Sequence, residues 1–249
     1  MAAQNSDDDD LKLSSSTLAA LQEFYTERDS REKEFAKLQA RAEAVHDAAS
    51  GKGGKLSMDV FAEDWNESQF WYSEETARIF ATQLLDGATE DMTIAVVSAP
   101  SVFVALKNIL NEAPADQPKP KLVLLEHDNR FGVFPEFVYY DYAQPLKLPG
   151  HLKGTCSRII ADPPFLSEEC QTKTALTVRW LSKPASDTEK PRVVLCTGER
   201  MQEIVLRLYK YFDVRTTDYN PKHARGLSNE FYCYANFEGK DGAWGWRKE

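Results

Sequence analysis

Residues 93–126 read TIAVVSAPSVFVALKNILNEAPADQPKPKLVLLE. A short apolar run, 93–98, leads into helical patterning over 102–111 and then a proline-rich loop, 114–120. A second apolar run, 121–126, closes the unit. Runs of this length without polar alternation belong to strands covered on both faces. Two such strands joined through a helix form a parallel βαβ unit.

The pattern extends in both directions. Upstream, 73–85 predicts a helix, with Ile79, Phe80 and Leu84 apolar and Gly87 near its stop. Downstream, strands are predicted at 137–142 (FVYYDY), 157–161 (SRIIA) and 192–197 (RVVLCT), with helices over 168–182 and 200–211. Segments 212–219 and 230–236 read as a final strand pair. Their connector, 220–229, has no helical pattern, so this pair is predicted antiparallel. The expectation is an α/β fold built on one open, mostly parallel sheet with helices on both faces. Such sheets bind ligands outside the carboxyl ends of their strands.

The chain has 249 residues, with 30 Lys+Arg against 39 Asp+Glu and a formal net charge of −9. That balance argues against holding nucleic acid by broad phosphate neutralisation. The acidity is not confined to one end: residues 1–58 contain 11 acidic and 8 basic side chains, and the remainder 28 and 22. Cys156, Cys170, Cys196 and Cys233 form no C-x-x-C pair and the four histidines are scattered, so no metal site is expected. Reduced, partly buried thiols in a cytosolic or nuclear protein are the simpler reading. No window approaches 18 apolar residues and no leader pattern opens the chain, so neither a membrane span nor a signal peptide is expected.

Four segments follow from composition. Residues 1–13 read as a disordered acidic tail, 14–50 as an N-terminal helical extension and 51–56 as a glycine-rich linker. Residues 57–249 read as the folded domain. Gly51-Lys52-Gly53-Gly54-Lys55 lacks the spacing, the preceding strand and the Ser/Thr of a phosphate loop.

The strand ends hold the candidate chemistry. Ser98 and Ala99 follow the first strand, Glu126 ends the second, Asp141 ends the third, and Asp162-Pro163-Pro164-Phe165 follows the fourth. Consecutive prolines have fixed φ and no N–H, so this tetrapeptide is a stiff shelf. Its carboxylate, carbonyl and aromatic ring suit an amine, because acceptors orient N–H groups and a ring contacts a base or an alkylammonium. A basic cluster, Lys222, His223 and Arg225, sits in the final connector as a candidate target contact or a solvated turn.

The Asp-Pro-Pro-Phe tetrapeptide after the fourth strand resembles the signature of S-adenosylmethionine-dependent amino-methyltransferases. Together with Gln69-Phe70-Trp71-Tyr72-Ser73, Leu124-Leu125-Glu126, the aromatic 137–142 strand and Asn229-Glu230-Phe231, the chain resembles the elongation factor 1-alpha lysine methyltransferase family over roughly residues 15–240. That family was formerly grouped with putative adenine-N6 methyltransferases. The resemblance implies a seven-strand class I (Rossmann-like) methyltransferase sheet, S-adenosylmethionine as cofactor and a lysine of elongation factor 1-alpha as acceptor. It implies cofactor contacts from Ser98, Ala99, Glu126, Asp141 and Asp162, and catalysis at Asp162, Pro163, Pro164 and Phe165. Phe70, Trp71 and Tyr72 would close over cofactor or target, or else pack as an aromatic core patch. One departure stands out: Ser98-Ala99-Pro100-Ser101 replaces the glycine-rich turn usual after the first strand. A cytoplasmic monomer without membrane or nucleic-acid partners completes the expectation. The alternatives are an adenine-N6 methyltransferase acting on DNA or RNA, and a non-catalytic binding subunit of the same fold.

Overall fold

The computed structural model describes residues 55–58, 61, 69–114, 116–186, 190–226 and 230–248. The expected tail, the helical extension and most of the glycine-rich linker lie outside the described residues. At the first described stretch, Leu56 is already part of the packing. Its N–H donates to Asn108 Oδ1 (2.8 Å) and its carbonyl accepts from Asn108 Nδ2 (2.9 Å).

Seven strands form one sheet: β1 (Thr93–Val97), β2 (Lys121–Glu126), β3 (Phe137–Tyr139), β4 (Arg158–Ala161), β5 (Arg192–Gly198), β6 (Arg215–Thr216) and β7 (Phe231–Ala235). Their order is β3-β2-β1-β4-β5-β7-β6. β1 to β5 pair in parallel, while β7 runs antiparallel to both β5 and β6. The chain therefore reverses direction outward from β1, with β2 on one side and β4 on the other. The crevice beyond Val97 and Ala161 is the switch point where an open sheet takes its ligand.

Alternation within each strand builds two cores. Ile94 and Val96 of β1 join Leu124, Ile160, Val194 and Cys233 beneath α1 (Glu74–Leu85) and α2 (Pro100–Glu112), with Phe80, Leu84, Phe103 and Leu106 fully buried. Ala95 and Val97 point the other way, to Leu125, Ile159, Val193 and Tyr234. There they lie under α3 (Glu168–Leu181), which contributes Val178 and Leu181, and α4 (Gln202–Leu208), which contributes Val205. Adjacent residues of one strand serve opposite cores, which accounts for the unbroken apolar runs.

Several boundaries differ from the sequence expectation, each for a local reason. The strand predicted at 137–142 stops at Tyr139. Tyr140 keeps one ladder bond to Glu126 O (2.9 Å), and then Asp141 turns the chain by accepting from Ala143 N through Oδ1 (2.8 Å). The helix predicted over 200–211 breaks into a 3₁₀ turn (Glu199–Met201), α4 and a second 3₁₀ turn (Lys210–Phe212). Asp213, at φ 60°, ends that last turn in the left-handed region, so the strand predicted at 212–219 is reduced to β6. α2 starts two residues early because Pro100 suits a first helical turn.

Two of the helix starts, those of α1 and α3, are capped by a serine hydroxyl. Ser73 Oγ accepts from Thr76 N (3.2 Å) and Ser167 Oγ from Cys170 N (3.3 Å). Substituting Ser167 with Ala removes the second cap and is expected to lower stability by about 1 kcal/mol. Urea unfolding monitored by circular dichroism would show this as a lower midpoint at unchanged slope.

Candidate active site

A cleft of about 760 Å³ opens beyond the carboxyl ends of β1, β2, β4 and β5. Its volume lies in the range of small-molecule sites. Phe70, Trp71, Tyr72, Ser98, Ala99, Glu126, Asp141 and Asp162 to Phe165 all line it; of the basic cluster only His223 does, and Lys222 and Arg225 lie outside it.

β1 ends where Ser98 takes φ 54°, in the left-handed region that favours glycine. Ser98 thus performs the chain reversal that a glycine-rich turn would otherwise make, and its N–H donates to Leu125 O (2.9 Å). Ala99 follows as N-cap of α2 without offering a side-chain bond, so small side chains leave the helix start open to the cleft.

Glu126 terminates β2 and is 6% exposed. Its Oε1 accepts from His127 N (2.8 Å) and Asp128 N (3.2 Å). Both bonds fall on one oxygen, leaving Oε2 for a ligand. Burial pushes the Glu126 carboxyl up to about 7, against the lowering effect of those two N–H donors. A buried carboxylate with one oxygen held and one unspent suits a pair of ligand hydroxyls.

The Asp162-Pro163-Pro164-Phe165 shelf lies beside this turn, because Asp162 N donates to Val97 O (3.0 Å). Its far end is fixed by Gln171, whose Nε2 reaches Phe165 O (3.2 Å) and Thr197 Oγ1 (3.0 Å). Leu166 packs on Gly198, where an added Cβ would stand 3.0 Å from both its methyl groups. The Phe165 ring is 40% exposed and meets Tyr142 edge-on at 5.5 Å. Asp162 itself is half-buried at the cleft. Burial, and secondarily the neighbouring Glu126 charge, push its carboxyl up to about 7, while a bond from Tyr72 opposes the rise.

Asp141 is at the rim with both oxygens engaged, Oδ1 by Ala143 N and Oδ2 by Gln144 Nε2 (3.1 Å). The side-chain bond from Gln144 is the main cause holding its carboxyl below the ordinary range. Its role in the cleft is therefore that of a shaped edge.

The 69–72 segment crosses the mouth of the crevice and combines both sequence readings. Trp71 belongs to the core: it donates Nε1–H to Phe61 O (2.9 Å) and meets Phe131 edge-on. Tyr72 belongs to the site, since its hydroxyl donates to Asp162 Oδ2 at 2.5 Å. Gln69 ties the segment to the loop after β2, donating to Asp128 Oδ2 (2.9 Å) and accepting from Arg130 (2.8 Å).

His223 was legible only as one member of a basic cluster. In the fold it forms an antiparallel bridge with Tyr72, and its ring lies 5.0 Å from Tyr72 and 4.8 Å from Phe231. Burial lowers its pKa to about 4, so it lines the cleft as a neutral imidazole. Arg200 and Phe231 also line the cleft; Phe231 was quoted only within the Asn229-Glu230-Phe231 segment, with no site role, and no motif marked Arg200. Among the described residues no group of three or more His, Cys, Asp or Glu could hold a metal ion, and the four cysteines are free and buried.

Comparison with known proteins places the chain in a family. A family described as "Probable N6-adenine methyltransferase" matches residues 63–239. Among curated proteins, the chain is 42% identical over 236 residues to "Protein-lysine N-methyltransferase EFM5" of Saccharomyces cerevisiae, covering 91% of this chain and 92% of that protein. It is 41% identical to "EEF1A lysine methyltransferase 1" of Gallus gallus, covering 93% and 96%, and 36% identical to the Homo sapiens protein of that name, covering 93% and 94%. These matches along nearly the whole chain establish that it belongs to the probable N6-adenine methyltransferase family, together with the curated EEF1A lysine methyltransferases.

Proposed function

We propose that this protein is an S-adenosylmethionine-dependent protein-lysine N-methyltransferase acting on a lysine of translation elongation factor 1-alpha. The observation that carries the proposal is the naming of relatives that match more than nine-tenths of the chain at 36–42% identity. The cleft is chemically suited to that cofactor. Glu126 Oε2 would accept from the ribose hydroxyls, Ser98 and Ala99 would border the methionine part, and Asp141 would form the edge on the adenine side. S-adenosylmethionine, when bound, supplies an already activated sulfonium methyl group, so the protein's work is positioning and management of the acceptor proton.

A lysine side chain has a pKa of about 10.4, so roughly 0.1% is neutral near pH 7.4, which corresponds to about 4 kcal/mol. Burial of the acceptor stem between Tyr72, Phe165 and Phe231 disfavours the ammonium. Asp162, with its pKa near 7, is poised to accept a hydrogen bond from the amine and, secondarily, its proton. The Pro163 carbonyl offers a second acceptor on the same shelf. The neutral His223 adds no positive charge to repel the approaching lysine.

No helix among the described residues is long and apolar enough to cross a membrane. The proposal includes a cytoplasmic monomer, since four free, buried thiols suit a reducing compartment. The deciding experiment supplies labelled cofactor together with elongation factor 1-alpha, bulk protein, DNA and RNA, followed by mass-spectrometric site mapping. Label on an elongation-factor lysine is expected, and label in nucleic acid alone would overturn the assignment. Calorimetry with S-adenosylmethionine adds a second check: a protein that does not bind the cofactor cannot be the enzyme and would favour the non-catalytic alternative.

A further inference from the structure

Tyr72 is held more firmly than a cleft wall requires. Its N–H donates to Ser101 Oγ (3.2 Å) at the start of α2. On either side of it, Ser73 N donates to Lys222 O (2.8 Å) and Ala224 N to Trp71 O (2.8 Å), so the connector before β7 is laced to this segment. Its ring is clamped between Phe80, edge-on at 5.6 Å, and His223 at 5.0 Å. A phenylalanine would fill the same space, and burying a phenol is costly unless its hydroxyl is bonded. The hydroxyl donates to one carboxylate oxygen, Asp162 Oδ2, and the Cys196 thiol also lies within bonding reach of it.

We propose that Tyr72 is the positioning residue of the acceptor carboxylate: its phenol binds Oδ2 of Asp162, fixes the rotation of the carboxylate and leaves Oδ1 to face the acceptor amine. This deepens the methyl-transfer reading of the cleft and rests on it. The geometry brings the 69–72 segment, the start of α2, the connector before β7 and the shelf after β4 to a single hydrogen bond. No charge is lost to that bond. Burial, and then the Asp162 carboxylate, hold the Tyr72 phenol well above its ordinary value, so it stays protonated and remains a donor.

The other ionisable groups around Asp162 are Glu126 at the end of β2, Cys170 in α3 and Cys196 in β5. His223 stands behind Tyr72 rather than on Asp162. Burial and Glu126 raise the Asp162 carboxyl, and the phenol is the group opposing them. Losing the hydroxyl therefore has a readable sign. The Asp162 titration midpoint must rise, and less of the carboxylate is ionised at neutral pH.

The test uses Y72F, D162N, D162A and the Y72F/D162A double variant. Protein labelled with 13C at the aspartate carboxyls is titrated by NMR, and the resonance missing from D162N identifies Asp162. In Y72F the midpoint is expected to move up by about one pH unit. Turnover of elongation factor 1-alpha is expected to fall about 10–100-fold in kcat, with its acid limb displaced upward in parallel. Cofactor affinity by calorimetry stays within about twofold of the original. Because Tyr72 acts through the Asp162 side chain, Y72F adds little to the loss already present in D162A, which offers the phenol no acceptor. An unmoved Asp162 midpoint, or an equal further loss in the D162A background, would overturn the proposal. Should Y72F fail to fold, fluorotyrosine incorporation replaces it: a more acidic phenol is a stronger donor, so the Asp162 midpoint should move down, and no movement is a refutation. A wild-type protein that labels no protein lysine removes the functional reading, while the titration still decides whether the phenol governs Asp162.

Discussion

Replacing Asp162 with Ala is expected to lower methyl transfer by about 10³-fold, within the span of general acid–base and alignment effects, without unfolding the protein. The carboxylate follows β4 at the switch point, and its backbone is already fixed by the Val97 carbonyl and the two prolines. The shelf therefore survives loss of the side chain. The substitution strands the Tyr72 hydroxyl, at about 1–3 kcal/mol for an unsatisfied buried donor. It also removes a carboxyl that burial disfavours in its charged form, which offsets part of that cost. Stability should thus change much less than turnover. D162N separates the two roles given to this residue. An amide keeps an oxygen for Tyr72 and for the amine but accepts no proton. If alignment dominates, D162N retains well above the activity of D162A; equal losses would make proton acceptance the main role. The pH profile has a definite sign. The ionised carboxylate is the competent form, so kcat/KM should climb as pH rises through about 7 in the original protein and lose that limb in D162N. Stopped assays with site mapping across pH 5.5–9 would reveal it, and near-original turnover in D162A would refute the assignment.

How legible the site was depended on which signals are local. Strand identity came from short unbroken apolar runs, and every such run is a strand because each faces two cores. Three strand-end acids and the stiff tetrapeptide followed directly, since an open sheet brings its carboxyl ends to one crevice whatever the loops do. The element ends that were misread are set by single side chains. Asp141 ends β3 through its own turn, and left-handed Asp213 cuts β6 to two residues. Periodicity carries no information about either. The missing glycine-rich turn looked like a defect in the sequence, yet Ser98 adopts the left-handed conformation that glycine would supply. His223 was underrated for a different reason. It reaches the site through a bridge to Tyr72, 151 positions away in the chain, and no local pattern signals such a pairing.

Glu126 should trade stability for ligand affinity, and E126Q exposes both sides of that exchange. The amide oxygen can still accept from His127 N and Asp128 N, so the turn after β2 is preserved. The charge that would receive two ribose hydroxyls is gone. Charge-assisted bonds are worth about 1.5–3 kcal/mol, so S-adenosylmethionine affinity measured by calorimetry should fall about 10–100-fold. The ligand-free protein should move the opposite way. Burial raises the Glu126 pKa from 4.5 to about 7, so the folded state holds a proton that the unfolded state releases between those values. Stability contributed by the neutral carboxyl is fully present below about 4.5 and is lost as pH rises through about 7. At pH 8 the wild-type fold therefore carries a penalty on the order of 3 kcal/mol, falling below about 1 kcal/mol at pH 5. E126Q stays neutral throughout and escapes it. Urea unfolding should find E126Q more stable than the original chain at pH 8 and nearly equal to it at pH 5. Equal stability at both pH values would mean that Glu126 is solvated in the free protein. Raised stability with undiminished cofactor binding would take the ribose contact away from Glu126 and leave it a buried carboxyl at a strand end.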